Sequence, residues 1–180
     1  DSALIVEVLG RGAIVAVRCP TIEALASELS SGAGAVVLAD DGLNEAAVRP
    51  IVDRIAVQEP WSDLPILVLT KGGDADRTSL YRLRLVEPLG NVSLIERPLR
   101  KVTLISSVRA ALRARRRQYE IRSNLEELAR SESRLRNAIL EAPVPIMIHA
   151  EDGAVLYLSR AWTELSGYSL DDLPTVQSMV

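Results

Sequence analysis

Between residues 104 and 142 the chain contains neither glycine nor proline. Glycine costs a helix interior about 1 kcal/mol and proline about 3 kcal/mol relative to alanine. A run free of both, and rich in Ala, Leu, Glu and Arg, therefore predicts one continuous helix, about 58 Å long at 1.5 Å per residue. Along it Ile121, Leu125, Leu128, Glu132, Leu135 and Ile139 recur at intervals of four, three, four, three and four. That is the a/d seam of a coiled coil with one polar member, Glu132. A solitary helix would leave the seam in water, so the expectation is a parallel two-stranded coil and hence a homodimer. Pro143 and Pro145 end the run.

The residues before it alternate between helix and strand signals. "DSALIVEVLG" (1–10) suits a helix, with Asp1 or Ser2 as cap and Gly10 or Gly12 at its end. "AIVAV" (13–17) reads as a short strand closed by Cys19-Pro20. Thr21 starts a second helix that Gly32 stops. "AGAVVLA" (33–39) is a buried strand that breaks on Asp40-Asp41-Gly42, and Asn44 caps a third helix to about Val57. "LPILVLT" (64–70) is a strand followed by the loop "KGGDADR"; a weaker helix covers 79–85, and "NVSLIE" (91–96) is the fourth strand. The strands are continuously apolar rather than alternating, as in a parallel sheet covered on both faces. Right-handed crossovers then predict a doubly wound α/β fold, with ligands at the carboxyl ends of the strands.

Composition narrows the function. The 180 residues are 48% hydrophobic and 25% charged, enough for one ordinary domain and an appendage. Aromatic residues make up 3% and Phe is absent, so the core must be aliphatic. The net charge of −3 disfavours non-specific nucleic-acid binding by the whole chain. One cysteine, Cys19, excludes an internal disulfide. No apolar run approaches the ~18 residues of a membrane span, and no basic segment precedes an apolar block at the N-terminus. A soluble cytoplasmic protein is the expectation.

An acid after the second strand, a hydroxyl after the third and a cation before proline after the fourth form a constellation: Asp40 and Asp41, Thr70, and Arg97-Pro98. Over residues 1–115 this resembles the receiver domain of response regulators. The resemblance implies a phosphoacceptor at Asp40, a sensing hydroxyl at Thr70 and a phosphate-contacting cation at Arg97. Two departures stand out. Arg97 replaces a lysine, and a planar guanidinium does not fill the site of a compact ammonium. The acidic pair of the family's first strand has no counterpart, because the sequence opens on what reads as the first helix and the central strand lies upstream or is missing. One carboxylate seldom satisfies Mg²⁺, and phosphoryl transfer without the metal lacks its main charge neutraliser. A degenerate, non-phosphorylated receiver is expected, and a phosphorylatable Asp40 is the alternative. The plainer uses are a turn and helix cap for Asp40 and Asp41, a strand end for Thr70, and an ion pair from Arg97 to Glu96 or Asp40. Contact between Asp40 and Arg97 would make a permanently neutralised site; a separation beyond about 6 Å would remove the idea.

Other features carry less. Arg113, Arg115, Arg116 and Arg117 lie just before Glu120, Glu126 and Glu127. They read as a solvated helix face rather than a nucleic-acid surface, since no aromatic platform is interleaved. The glycines of "LGRG" and "SGAG" lack dinucleotide-site spacing. His149, the one histidine, reads as a packed strand residue, and there is no Cys/His cluster for zinc. No metal and no cofactor are expected.

After the helix, "PIMIHA", the turn "EDG" (151–153) and "AVLYLS" form a strand–turn–strand unit, followed by a helix broken at Gly167. With Asp152-Gly153, Gly167-Tyr168 and Asp172-Leu173, residues 134–173 resemble the opening of a PAS sensory domain. Ser159 stands where that family usually has Asn, and only about the first third of such a domain is covered. The expected organisation is a receiver-like α/β domain over 1–103, a coiled-coil connector over 104–142 and the start of an α+β PAS domain over 143–180. This order resembles the regulatory half of bacterial sensor histidine kinases. The implied function is signal relay by a non-enzymatic, dimerising segment, with the kinase domains of the same chain as partners and no membrane contact. A DNA-binding regulator and a small-ligand sensor at the strand ends are the competing classes.

Overall fold

The computed structural model describes residues 2–41, 43–71 and 76–179. Asp1 as a cap, Gly42 in the turn, and most of the "KGGDADR" loop lie outside the described residues. The chain divides into two compact units, Asp1–Arg122 and Ser123–Val180.

The first unit runs α1 (Ser2–Arg11), α2 (Ile22–Ser31), β1 (Val36–Ala39), α3 (Glu45–Ala56), β2 (Ile66–Lys71), α4 (Asp76–Val86), a 3₁₀ turn (Glu87–Leu89) and β3 (Val92–Arg97), and leads into α5 (Lys101–Leu140). The caps follow from local chemistry. Thr21 Oγ1 accepts the Ala24 N–H, and Asn44 Oδ1 accepts the Ala47 N–H, each satisfying one orphan donor of the first turn. The three strands form a parallel sheet in the order β1-β2-β3. Its register sets Ala39 beside Leu69 and Lys71 beside Arg97, so the strands end at nearly the same level.

Two cores flank the sheet, and β2 feeds both in alternation. Ile66 and Val68 join Leu29, Val48, Ile51, Leu85 and Leu89 on the face covered by α2, α3 and α4. Leu67 and Leu69 join Val8 and Leu9 of α1 and Leu104 and Val108 of α5 on the other. Every one of these is aliphatic. One glycine of each of "LGRG" and "SGAG" serves this packing: a Cβ at Gly12 would meet Ile105 at 3.0 Å, and one at Gly34 would meet Leu112 Cδ2 at 2.6 Å.

The strand expected at 13–17 does not form. Ile14 and Ala16 do pack into the α1/α5 core, but Val15 and Val17 are 96% and 68% exposed. A strand exists only as part of a ladder, and no described strand pairs with this segment. An apolar β-branched run supplies the propensity, not the partner.

The second unit holds the end of α5 and an antiparallel hairpin of β4 (Met147–His149) and β5 (Val155–Leu158), then α6 (Arg160–Ser166) and a 3₁₀ turn (Val176–Met179). Ser159 is fully buried, and its hydroxyl makes three hydrogen bonds. Its Oγ accepts the N–H of Ile146 (2.9 Å) and of Trp162 (3.2 Å) and donates to the Val144 carbonyl (2.9 Å). It thereby caps α6 and ties it to the strand entry. Gly167, at φ 77°, ends α6 in the left-handed conformation that glycine adopts without strain. Among the described residues, no helix is long and apolar enough to cross a membrane.

Candidate functional site

The carboxyl ends of the three strands gather an ionic cluster. Asp40 directly follows β1, and its N–H donates to the Leu69 carbonyl, extending the ladder by one residue and holding the carboxylate beside the end of β2. Arg97, the last residue of β3, donates from Nη2 to Asp40 Oδ1 and to Asp41 Oδ2, both at 2.8 Å. Asp40 Oδ2 receives the Lys71 N–H at 3.2 Å and the Arg82 guanidinium at 3.3 Å. Lys71 Nζ lies 2.7 Å from Asp41 Oδ1. Among the described residues, two carboxylates thus meet three cations.

Burial makes this arrangement consequential. The Asp40 side chain is 5% exposed, where an unpaired charge is costly, and its partner Arg97 is 20% exposed. Asp41 is more open, and its carboxyl is held below the usual carboxylate range, first by the hydrogen bond from Lys71 and next by that from Arg97. The hydrogen bond to Asp41 first, and that to Asp40 after it, push Arg97 above its already high value.

The sequence singled out Asp40, Asp41, Thr70 and Arg97. The structure joins three of them. Thr70 is buried one residue before Lys71, and among the described residues no hydrogen bond links its side chain to the cluster. Lys71 and Arg82 were missed. Lys71 is legible in retrospect as the last residue of β2, whereas Arg82, on α4, meets Asp40 only in the folded chain. The residues do not fit a bound Mg²⁺: both Asp40 oxygens already face guanidinium groups, and the ion would sit among three positive side chains. No described group of three or more His, Cys, Asp or Glu side chains converges to hold a metal. His149 is exposed and its Nδ1 lies 2.9 Å from the Ala150 carbonyl oxygen.

The basic run on α5 departs from the solvated face expected of it. Arg113, Arg116 and Arg117 are exposed, but Arg115 is buried. Its guanidinium lies 5.4 Å from the centroid of Trp61 and 4.8 Å from that of Tyr119, with 2.8 Å hydrogen bonds to Gln118 and Ser62. Arg122 covers Trp61 at 4.5 Å and pairs with Glu59 at 2.8 Å. Gln118 completes the attachment by donating to the Asp63 carbonyl and accepting the Asp63 N–H. This clamp fixes α5 to the α3–β2 loop. Its sequence signal was the isolated Trp61 in a polar loop.

Along α5, Ile121, Leu125, Leu128 and Leu135 are 60–65% exposed, Glu132 is exposed and Ile139 is half-buried. Fold and site together define a mixed α/β protein with a three-stranded parallel sheet, an ionic cluster at the carboxyl edge of that sheet and a long helix carrying an exposed apolar seam. No protein-family model matches the chain, and no curated protein matches it.

Proposed function

We propose that this chain is a regulatory, dimerising segment of a two-component sensor histidine kinase. In this reading an inert receiver-like head is joined by the coiled-coil helix to the start of a PAS domain, and two copies pair along the seam. Rotation or register shift of the paired helices then carries the signal toward the kinase domains of the same chain. The observation that carries the reading is the seam: four large aliphatic side chains at heptad positions stand 60–65% exposed on one continuous helix. Withdrawing them from water is worth about 1.5–3 kcal/mol each, before the cost of association. Glu132 loosens the seam locally and permits a second register. The Asp40–Arg97 contact supports an inert head, because the carboxylate is neutralised by the protein's own cations rather than by a metal or a phosphoryl cycle.

Light scattering at tens of micromolar tests the proposal. The expected result is the mass of a dimer for the chain and of a monomer for the Leu125→Glu/Leu128→Glu variant. A monomeric parent chain overturns it.

A further inference from the structure

Beside the ionic cluster, on the α1/α5 face of the sheet, lies a cleft of about 670 Å³. Its walls are Leu4, Ile5 and Val8 of α1 and Leu104 of α5, and Leu69 forms part of its floor. The volume falls in the ~300–1,000 Å³ range of small-molecule sites, which are mostly apolar with a few placed polar groups. Ala39, Lys71 and Arg97 bring the ends of all three strands to it, the position where open parallel sheets bind ligands.

The polar groups at its edge share one sign. Lys71, Arg97, Arg100 and Lys101 line the cleft, and no acidic residue does so among the described residues. Asp40 and Asp41 answer the charge of Lys71 and Arg97. Arg100 and Lys101 are exposed and have no carboxylate partner among the described residues. A bare inorganic anion would leave the aliphatic walls wet, and a neutral apolar molecule would leave the two cations unused. We propose that the cleft binds a small amphipathic anion, an aliphatic monocarboxylate, with its chain between α1 and α5 and its head at Arg100 and Lys101. Since Lys71 and Arg97 belong to both cleft and cluster, an occupant also bears on Asp40 and Asp41. The site is independent of pairing along the α5 seam.

Titration calorimetry of the whole chain with hexanoate, octanoate, decanoate and 1-decanol tests this. Saturable one-to-one binding is expected, tightening about four-fold per added methylene. Decanol should bind at least about ten-fold more weakly than decanoate, the scale of one charge-assisted contact. The Arg100→Gln/Lys101→Gln variant should abolish the preference for decanoate over decanol. Leu4→Glu, at an exposed wall position, should weaken decanoate by a similar factor while circular dichroism is unchanged. No saturable binding at millimolar decanoate, equal affinity for decanol, or indifference to both variants overturns the proposal. So does loss of binding in Leu125→Glu/Leu128→Glu, which would place the probe on the helix seam, or burial of Leu4 on concentrating the protein alone, which would put a second copy in the cleft.

Discussion

A planar guanidinium reaches two carboxylates at once, and Arg97 uses that reach on Asp40 and Asp41 at 2.8 Å each. Arg97→Met should lower stability by about 1–3 kcal/mol, because Asp40 keeps Arg82 and the Lys71 N–H but loses its shortest contact. Arg97→Lys should recover only part of that in urea denaturation, since a compact, strongly hydrated ammonium on a flexible stem does not take the place of the guanidinium Nη2 that bridges both carboxylates. Asp41 adds a pH dependence. Its folded pKa is depressed, so its contribution is present above the unfolded value near ~3.9 and is lost as pH falls through the lower folded value. The urea-midpoint difference between the parent chain and Asp41→Asn should therefore be flat from neutral pH to about pH 5 and shrink below about pH 4. A difference that widened on acidification would refute the assignment. Asp40, Asp41 and Arg97 were legible because strand ends announce themselves in sequence. Arg115 was not: its burial depends on Trp61 in a distant loop, and helix periodicity carries no trace of that loop.

The helix caps at Thr21 and Asn44 were legible because their chemistry lies within three residues of the backbone groups they satisfy. The segment 13–17 was misread because ladder pairing is not local. Among the aliphatic elements, Ile51 of α3 is fully buried, and Ile51→Ala should cost about 2–5 kcal/mol in thermal or urea unfolding. The attachment of α5 to the α3–β2 loop yields a more selective expectation. Trp61→Ala should speed amide hydrogen exchange over residues 115–122 while Leu104 and Val108, packed in the core, stay protected. Uniform deprotection of the whole helix would show that the clamp has no separate role.

For the molecule as a whole, the proposed pairing along the α5 seam would make stability depend on concentration. The Tm should rise with protein concentration in the parent chain and become independent of it in Leu125→Glu/Leu128→Glu. Incubation with acetyl phosphate and Mg²⁺ should leave the intact mass without a phosphoryl adduct; an adduct on Asp40 would restore the working-receiver alternative. The alternation of α and β and the seam were readable from hydrophobic pattern. The number of strands that pair, and the division at Arg122/Ser123 within an unbroken helix, depend on contacts that no local pattern encodes.

Trp61 meets Tyr119 edge to face at 5.0 Å and lies near two guanidinium groups. The chain has one other tryptophan, Trp162, so Trp162→Phe leaves a single indole against the middle of the long helix. Its fluorescence becomes a built-in gauge of that attachment: emission should shift to the red and depolarise when the helix lets go of the loop, and hold steady through events confined to the far end.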